Sequence, residues 1–265
     1  MPQIRSEILY NQAQQDDYYK IALTCSQAFG AAVPGQFVTL KIGERMDPLL
    51  RRPFSIHRLL RENGDVTGME ILYRVVGNFT GQLAEIKPSE TIDLLGPLGH
   101  GFSLPAENTS PVLAAGGIGV APLVFLAESL NAAGIRMKHA AVFLGGRSDA
   151  DILCIDDFSR LGMKVRVATE DGSAGQEGLV TAPLEAYLAE HRPGIIYACG
   201  PHGMLEAVSA QAARHGIPCE VSIETVMACG LGICMGCAVK TADHPEGYRH
   251  ICKDGPVFEA SRVFF

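Results

Sequence analysis

The run Cys229-Gly-Leu-Gly-Ile-Cys234-Met-Gly-Cys237, followed by Cys252, constrains this chain more than any other feature. The spacing C-x4-C-x2-C-x14-C is that of the ligand run of plant-type [2Fe–2S] clusters. Thiolates hold the two irons, and the intervening glycines let the backbone wrap closely and point N–H groups at inorganic sulfide. Two alternatives stand beside this reading. Structural zinc prefers paired short knuckles, whereas here three cysteines share one loop and the fourth arrives alone. Disulfides require an oxidising compartment, and the opening Met-Pro-Gln-Ile-Arg-Ser has none of the character of a signal peptide. The other cysteines, Cys25, Cys154, Cys199 and Cys219, lie among apolar residues and read as buried thiols of a cytoplasmic protein.

Half the cysteines in one short segment leave the rest of the chain to build its own cores, and 265 residues suffice for two domains plus an appendage. Only 19% of the residues are charged, and the net charge is −7, which argues against a nucleic-acid partner. The apolar runs Pro111 to Ala115 and Val120 to Leu126 are too short to span a bilayer, so no membrane segment is expected.

Residues 1–103 read as mostly strand, with Val38 to Ile42, Met69 to Val75 and Thr91 to Leu95 as the clearest members. About six short strands separated by turns such as Glu62-Asn-Gly-Asp65 predict an antiparallel β-barrel, with one short helix after Asn78. From 104 to 218 strands alternate with helices. Strands are expected at Val112 to Ala115, Ala140 to Leu144, Val165 to Ala168 and Gly194 to Ala198. Helices are expected at Ala121 to Ala132, Ala182 to Glu190 and His202 to His215. That alternation predicts a doubly wound α/β domain with a parallel sheet. Residues 219–265 carry the cysteines and are expected to form a small third subdomain.

Two further signals point to nucleotides. Gly116-Gly-Ile-Gly119 at a strand end opens a helix, whose amides and dipole favour a pyrophosphate. Alone it is compatible with mere turn geometry. Cys199-Gly-Pro201 at the end of a later strand strengthens it, because turns on the carboxyl edge of a parallel sheet are where ligands bind. In the first segment, Arg51-Arg-Pro-Phe-Ser55 offers Arg52 for a phosphate, Pro53 as a stiffener and the Ser55 hydroxyl for a flavin ring. The competing reading is a solvated pair of arginines beside an edge strand. Tyr73 and Arg74 supply a stacking ring and a second cation, and His100 in Gly96-Pro-Leu-Gly-His-Gly-Phe102 reads as structural.

With these residues together, the chain resembles the ferredoxin–NADP reductase superfamily. Within it, the chain is similar to the electron-transfer subunits of heteromeric dihydroorotate dehydrogenases. The resemblance is carried by Arg52-Pro-Phe-Ser55, Leu72-Tyr-Arg74, Gly96-Pro-Leu-Gly99, Ala115-Gly-Gly-Ile-Gly119, Tyr197-Ala-Cys-Gly-Pro201, Met227-Ala-Cys-Gly230 and Cys252-Lys-Asp-Gly-Pro-Val-Phe258, and it spans the whole chain. It implies FAD held by Arg52, Pro53, Phe54, Ser55, Leu72, Tyr73, Arg74, Phe79 and Thr80. It implies a [2Fe–2S] cluster on Cys229, Cys234, Cys237 and Cys252. NAD(H) would come to Gly116, Gly117 and Gly119 and to Cys199, Gly200 and Pro201. One departure is Phe79, where the family has glycine before the threonine.

The resemblance further implies electron transfer between NAD and an FMN-containing dihydroorotate dehydrogenase subunit, in a heterotetramer serving pyrimidine synthesis. No residue of this chain stands out as a catalytic base, which fits an oxidation delegated to a partner. NAD is preferred over NADP, since Gly145-Gly-Arg147-Ser148 offers a single arginine after the expected second strand. The rivals are an electron-transfer subunit of another complex, such as a hydrogenase, sulfide reductase or bifurcating transhydrogenase, and a non-enzymatic module knotted by zinc.

Overall fold

The computed structural model describes residues 2–43, 47–242 and 247–265. Seven strands fill the first hundred residues: β1 (Gln3–Gln15), β2 (Tyr18–Thr24), β3 (Phe37–Lys41), β4 (Arg52–Ser55), β5 (Arg58–Glu62), β6 (Asp65–Arg74) and β7 (Thr91–Leu98). They pair antiparallel in the order β4-β3-β7-β1-β2-β6-β5. β1 changes partner along its length. Gln3–Glu7 pairs with β7, and Ile8–Gln15 pairs with β2 through two register shifts. Shifts of this kind bend a strand and raise its twist, so the sheet turns a corner there. β4 and β5 stand at opposite ends of the sheet order yet are consecutive in the chain. The His57 amide between them donates to Glu70 on β6, and the Phe54 ring on β4 lies 6.1 Å from that of Tyr73 on β6. The sheet therefore curls on itself as the expected barrel. A single short helix, α1 (Asn78–Glu85), follows β6.

The second half alternates strand and helix: β8 (Pro111–Gly116), α2 (Val120–Ala132), β9 (Ala141–Gly146), α3 (Ile155–Arg160), β10 (Lys164–Thr169), β11 (Gln176–Glu177), α4 (Thr181–Glu190), β12 (Ile195–Cys199), α5 (His202–His215) and β13 (Cys219–Ser222). Every residue of β8 and β12 is buried, as expected of parallel strands covered on both faces. The sheet order is β11-β10-β9-β8-β12-β13, parallel throughout. From β8 the chain builds outward through β9 and β10, then returns to lay β12 on the other side of β8. The strand order reverses between β8 and β12, the place in such sheets where ligands bind.

The C-terminal stretch adds a two-stranded ribbon, β14 (Ala238–Val239) with β15 (Arg249–His250), then α6 (Ile251–Asp254) and β16 (Val257–Glu259). β16 pairs antiparallel with β13 at the edge of the parallel sheet. The chain divides into two compact units. One comprises Met1–Gly101, Glu224–Val239 and Arg249–Pro256; the other comprises Phe102–Ile223, Lys240–Tyr248 and Val257–Phe265. The segment from 219 onward, which the sequence sets apart by its cysteines, is thus shared out. β13 extends the parallel sheet because Cys219 and Val221 are apolar enough to be buried there, and the cysteine loop joins the barrel unit.

Candidate functional site

The four cysteines converge within the barrel unit. The Cys237 and Cys252 sulfurs are 3.2 Å apart and both residues are buried, while Cys229 is half-buried and Cys234 exposed. Backbone amides point at the sulfurs: Leu231 N–H donates to Cys229 Sγ at 3.3 Å, Gly232 N–H to Cys252 Sγ at 3.1 Å and Cys252 N–H to Cys237 Sγ at 3.5 Å. Burial alone would raise the Cys229 thiol, but the amides of Cys234 and Leu231 outweigh it and bring it down to about 6. Cys252 moves the other way, to about 12, through burial and the neighbouring Cys237 thiol. Four thiolates cannot share such a nest without positive charge between them, and N–H groups aimed at sulfur are what a sulfide cluster uses. Among the described residues, no group of three His, Cys, Asp or Glu side chains is arranged around a single metal ion. A two-iron cluster takes four thiolates, and these four cysteines with amides aimed at their sulfurs fit it.

The barrel holds this nest through close backbone packing. At Gly99, with φ +72°, any Cβ would meet the Gly255 carbonyl and sit 2.8 Å from Pro256 Cδ. The His100 amide donates to that same carbonyl at 2.6 Å. The glycine loop between 96 and 102 is thus a seat for the C-terminal strap, and His100 serves through its backbone.

The three segments assigned to FAD by resemblance are brought together by the curl of the sheet. The Phe54 ring lies 6.1 Å from Tyr73 on β6 and 5.9 Å from Phe79 on α1. The Arg52 guanidinium sits 5.9 Å from the centre of the Phe79 ring and donates to the Leu50 carbonyl at 2.9 Å. Its neighbour Arg51 is committed elsewhere, in a 2.7 Å ion pair with Asp93 on β7. The edge-strand position of β4 is real, but the two arginines are not an equivalent solvated pair. Pro53 and Ser55 are half-buried on the same strand, and Leu72 is buried on β6. Tyr73 is a wall of this region, not an open face: it is 1% exposed, stacks on Tyr19 at 5.7 Å and donates its hydroxyl to Asn11 Oδ1 at 3.0 Å. Arg74 lies 5.0 Å from the centre of the Tyr18 ring.

Thr80 shapes the entry to α1. Its Oγ1 accepts from the Val76 amide at 2.9 Å and the Gly77 amide at 3.1 Å. A Cβ placed at Gly77 would meet nothing within 4 Å, so space is open at this helix N-terminus, where unpaired amides favour a phosphate. Phe79 does not fill that space. It lies in the helix, in backbone geometry any residue adopts, and its ring is buried against Phe54. Open space, Arg52 beside it and the helix end together fit the diphosphate of FAD. Reading by side chain overlooked this helix entry, where Thr80 caps the amides at 76 and 77 and leaves the helix's own first amides for a ligand; the Gly77-x-x-Thr80 spacing is its signal.

In the other unit, the two nucleotide turns touch. Gly116 ends β8, Gly117 and Gly119 form the 3-10 turn that starts α2, Cys199 ends β12, and Pro201 precedes α5. A Cβ on Gly119 would run into the Cys199 carbonyl and come within 2.8 Å of Gly200 N, and one on Gly200 would lie 2.9 Å from Gly116 N. Glycine is required here because two backbones pack directly against each other at the switch point. Met204, unmarked in the sequence, closes the joint, its sulfur 2.7 Å from a Cβ at Gly116. At the end of β9, the Arg147 amide donates to Asp151 Oδ2 at 3.0 Å.

Residues 224–264 match the family described as the iron-sulfur cluster binding domain of dihydroorotate dehydrogenase B, and residues 113–210 match the oxidoreductase NAD-binding domain. The chain is 42% identical, over 88% of its length and 87% of the relative's, to the dihydroorotate dehydrogenase B (NAD(+)) electron transfer subunit of Desulforamulus reducens. It is 37% identical to the subunit of the same name from Bacillus cereus (strain B4264), over 99% of both chains. The chain belongs to this family. Among solved structures it is similar to one described under NADH-dependent reduced ferredoxin-NADP oxidoreductase and flavin-based electron bifurcation. That match has a TM-score of 0.84 and 29% identity over 98% of this chain and 89% of the other. The fold alone is shared with a Neisseria gonorrhoeae ferredoxin NADP+ reductase with bound FAD and NADP, at a TM-score of 0.67 and 16% identity over 82% and 92% of the chains. Membership in the electron-transfer-subunit family agrees with the cluster, flavin and NAD-binding architecture expected from the sequence. No helix among the described residues is long and apolar enough to cross a membrane.

Proposed function

We propose that this chain is the electron-transfer subunit of a dihydroorotate dehydrogenase, carrying electrons between NAD(H) and a partner subunit that oxidises dihydroorotate at FMN. The observation that carries this reading is the convergence of four cysteine thiols and their amide donors within the same compact unit as the flavin segments. When bound, FAD exchanges a hydride with nicotinamide and passes electrons singly to a one-electron cluster. The chain's own residues supply position. Cys229, Cys234, Cys237 and Cys252 would hold the cluster. Arg52 and the amides at the start of α1 would hold the FAD diphosphate, with Pro53, Phe54, Ser55, Leu72, Tyr73, Arg74, Phe79 and Thr80 around the rest. The glycine turn at 116–119 and Cys199 to Pro201 would receive the dinucleotide. No step demands a proton acceptor from this chain, in keeping with substrate oxidation on the partner. The family relationship supports a role in pyrimidine synthesis, and we place the complex in the cytoplasm as a heterotetramer of two of each subunit.

The test is an absorption spectrum of the anaerobically purified chain before and after NADH, with NADPH as the control donor. Flavin bands over a broad iron–sulfur envelope, bleached by NADH, are expected, together with no dihydroorotate oxidation until the partner subunit is added. Dihydroorotate oxidation by the isolated, uncontaminated chain overturns the division of labour. A colourless, zinc-containing protein after reconstitution with iron, sulfide and FAD overturns the whole reading.

A further inference from the structure

β3 is buried on both of its faces, with four of its five residues enclosed. Val38 and Leu40 fill one face, while Phe37 and Thr39 point to the other, where the cysteine loop covers them. Thr39 is 2% exposed, and its hydroxyl has no hydrogen-bond partner. A buried hydroxyl left without a partner keeps the full cost of its lost hydration, so its retention at such a site calls for a partner that binds there. Its surroundings say which. A Cβ on Gly230, the residue after Cys229, would lie 3.1 Å from the Thr39 methyl carbon Cγ2, so the threonine side chain packs under the start of the cysteine loop, and a turn about its Cα–Cβ bond exchanges methyl for hydroxyl there. Gly230 has φ +69°, which turns the chain over at this point and leaves no side chain between Thr39 and the nest. In the sheet, Thr39 lies opposite Pro53 on β4 and Leu95 on β7. It is thus also the direct neighbour of the strand that carries Arg52 to Ser55.

We propose that the Thr39 hydroxyl is a hydrogen-bond donor to the sulfurs at the Cys229 corner of the cluster, and so a positioning residue that sets the cluster's potential. The inference rests on the cluster reading above. A donor aimed at cluster sulfur stabilises the more negative, reduced form and raises the reduction potential. Thr39 would add a side-chain hydroxyl to the Leu231 and Cys234 amides that already donate to Cys229 Sγ.

Thr39→Val removes the hydroxyl and keeps the shape, and Thr39→Ser keeps the hydroxyl. Iron and sulfide content, thermal unfolding of the apoprotein and an EPR-monitored redox titration of the holoprotein separate the outcomes. Expected are full cluster content in both variants and a cluster potential shifted negative in Thr39→Val but near the parent value in Thr39→Ser. The flavin potential should hold in both. Apo Thr39→Val should unfold at a temperature no lower than the parent, because the apoprotein offers the hydroxyl no partner. An unchanged cluster potential in a fully loaded Thr39→Val overturns the proposal while leaving the cluster reading intact. So does a destabilised apo variant, which would mean the hydroxyl is bonded within the protein. A parent chain that holds no iron at all takes down both.

Discussion

The thiol nest and the flavin region belong to the same compact unit but are encoded in different ways. Three of the four thiols lie within nine residues, Cys229 to Cys237, and the amides that face them come from the same loop or from Cys252 itself. The flavin region draws Phe54 from β4, Tyr73 from β6 and Phe79 from α1, joined only because the sheet curls. A local nest depends on the identity of a few atoms, and an assembled one on the geometry of a scaffold. Damage to the first should be total and confined. Damage to the second should be partial and spread.

The sharpest break in that comparison is Cys234→Ser. Cys234 is exposed, so the substitution costs the barrel no packing, yet it removes one of four ligands. We expect nearly complete loss of cluster iron with FAD retained at its normal stoichiometry, read by iron analysis and flavin fluorescence after denaturation. Loss of FAD along with the iron would mean the two sites are not separately encoded, despite their different construction.

A third region lies between these extremes. The turns at 116–119 and 199–201 are each short motifs, but their function depends on meeting at the switch point between β8 and β12. Gly119→Ala would push a methyl into the Cys199 carbonyl, a backbone atom that cannot swing aside. Overpacking of this kind costs about 1–3 kcal/mol. The expected result is a drop of roughly tenfold or more in NADH-driven bleaching, corresponding to about 1.4 kcal/mol, with reduction by dithionite unchanged. Equal loss with both reductants would place the damage in the fold and not in the dinucleotide turn.

The same distinction explains what could be read in advance. The cysteine spacing, the glycine turn before α2 and the strand–helix alternation are local patterns, and each lies where the sequence indicates. β1 was harder to see. Its stretch Asn11-Gln-Ala-Gln-Gln15 is polar and half open, and only pairing with β2 makes it strand. β13 is four residues long and says nothing by itself about which sheet receives it. The role of Gly99 as a seat for Gly255 joins residues far apart in the chain, so it carries no local signal beyond a glycine-rich loop. At the flavin region, Tyr73 reads in sequence as a stacking ring, and the structure buries it as a wall. Packing decides exposure, and packing is non-local.

The smallest effect tests the assembled site at one atom. Thr80→Val keeps a β-branched side chain in the first turn of α1 and removes only Oγ1, the acceptor for the Val76 and Gly77 amides. Loss of a helix-entry acceptor costs about 1 kcal/mol. If that acceptor holds the start of α1 in place so that the helix's own first amides meet the FAD diphosphate, most of that cost should appear as weaker flavin binding. About 1 kcal/mol corresponds to a roughly fivefold rise in the FAD Kd, measurable by fluorescence titration of the deflavinated protein, with cluster iron unchanged. A lower Tm with an unaltered FAD Kd would make Thr80 a helix cap alone and shift the weight of flavin binding onto β4 and β6. The prediction therefore separates a scaffold that merely supports the site from one whose backbone is part of it.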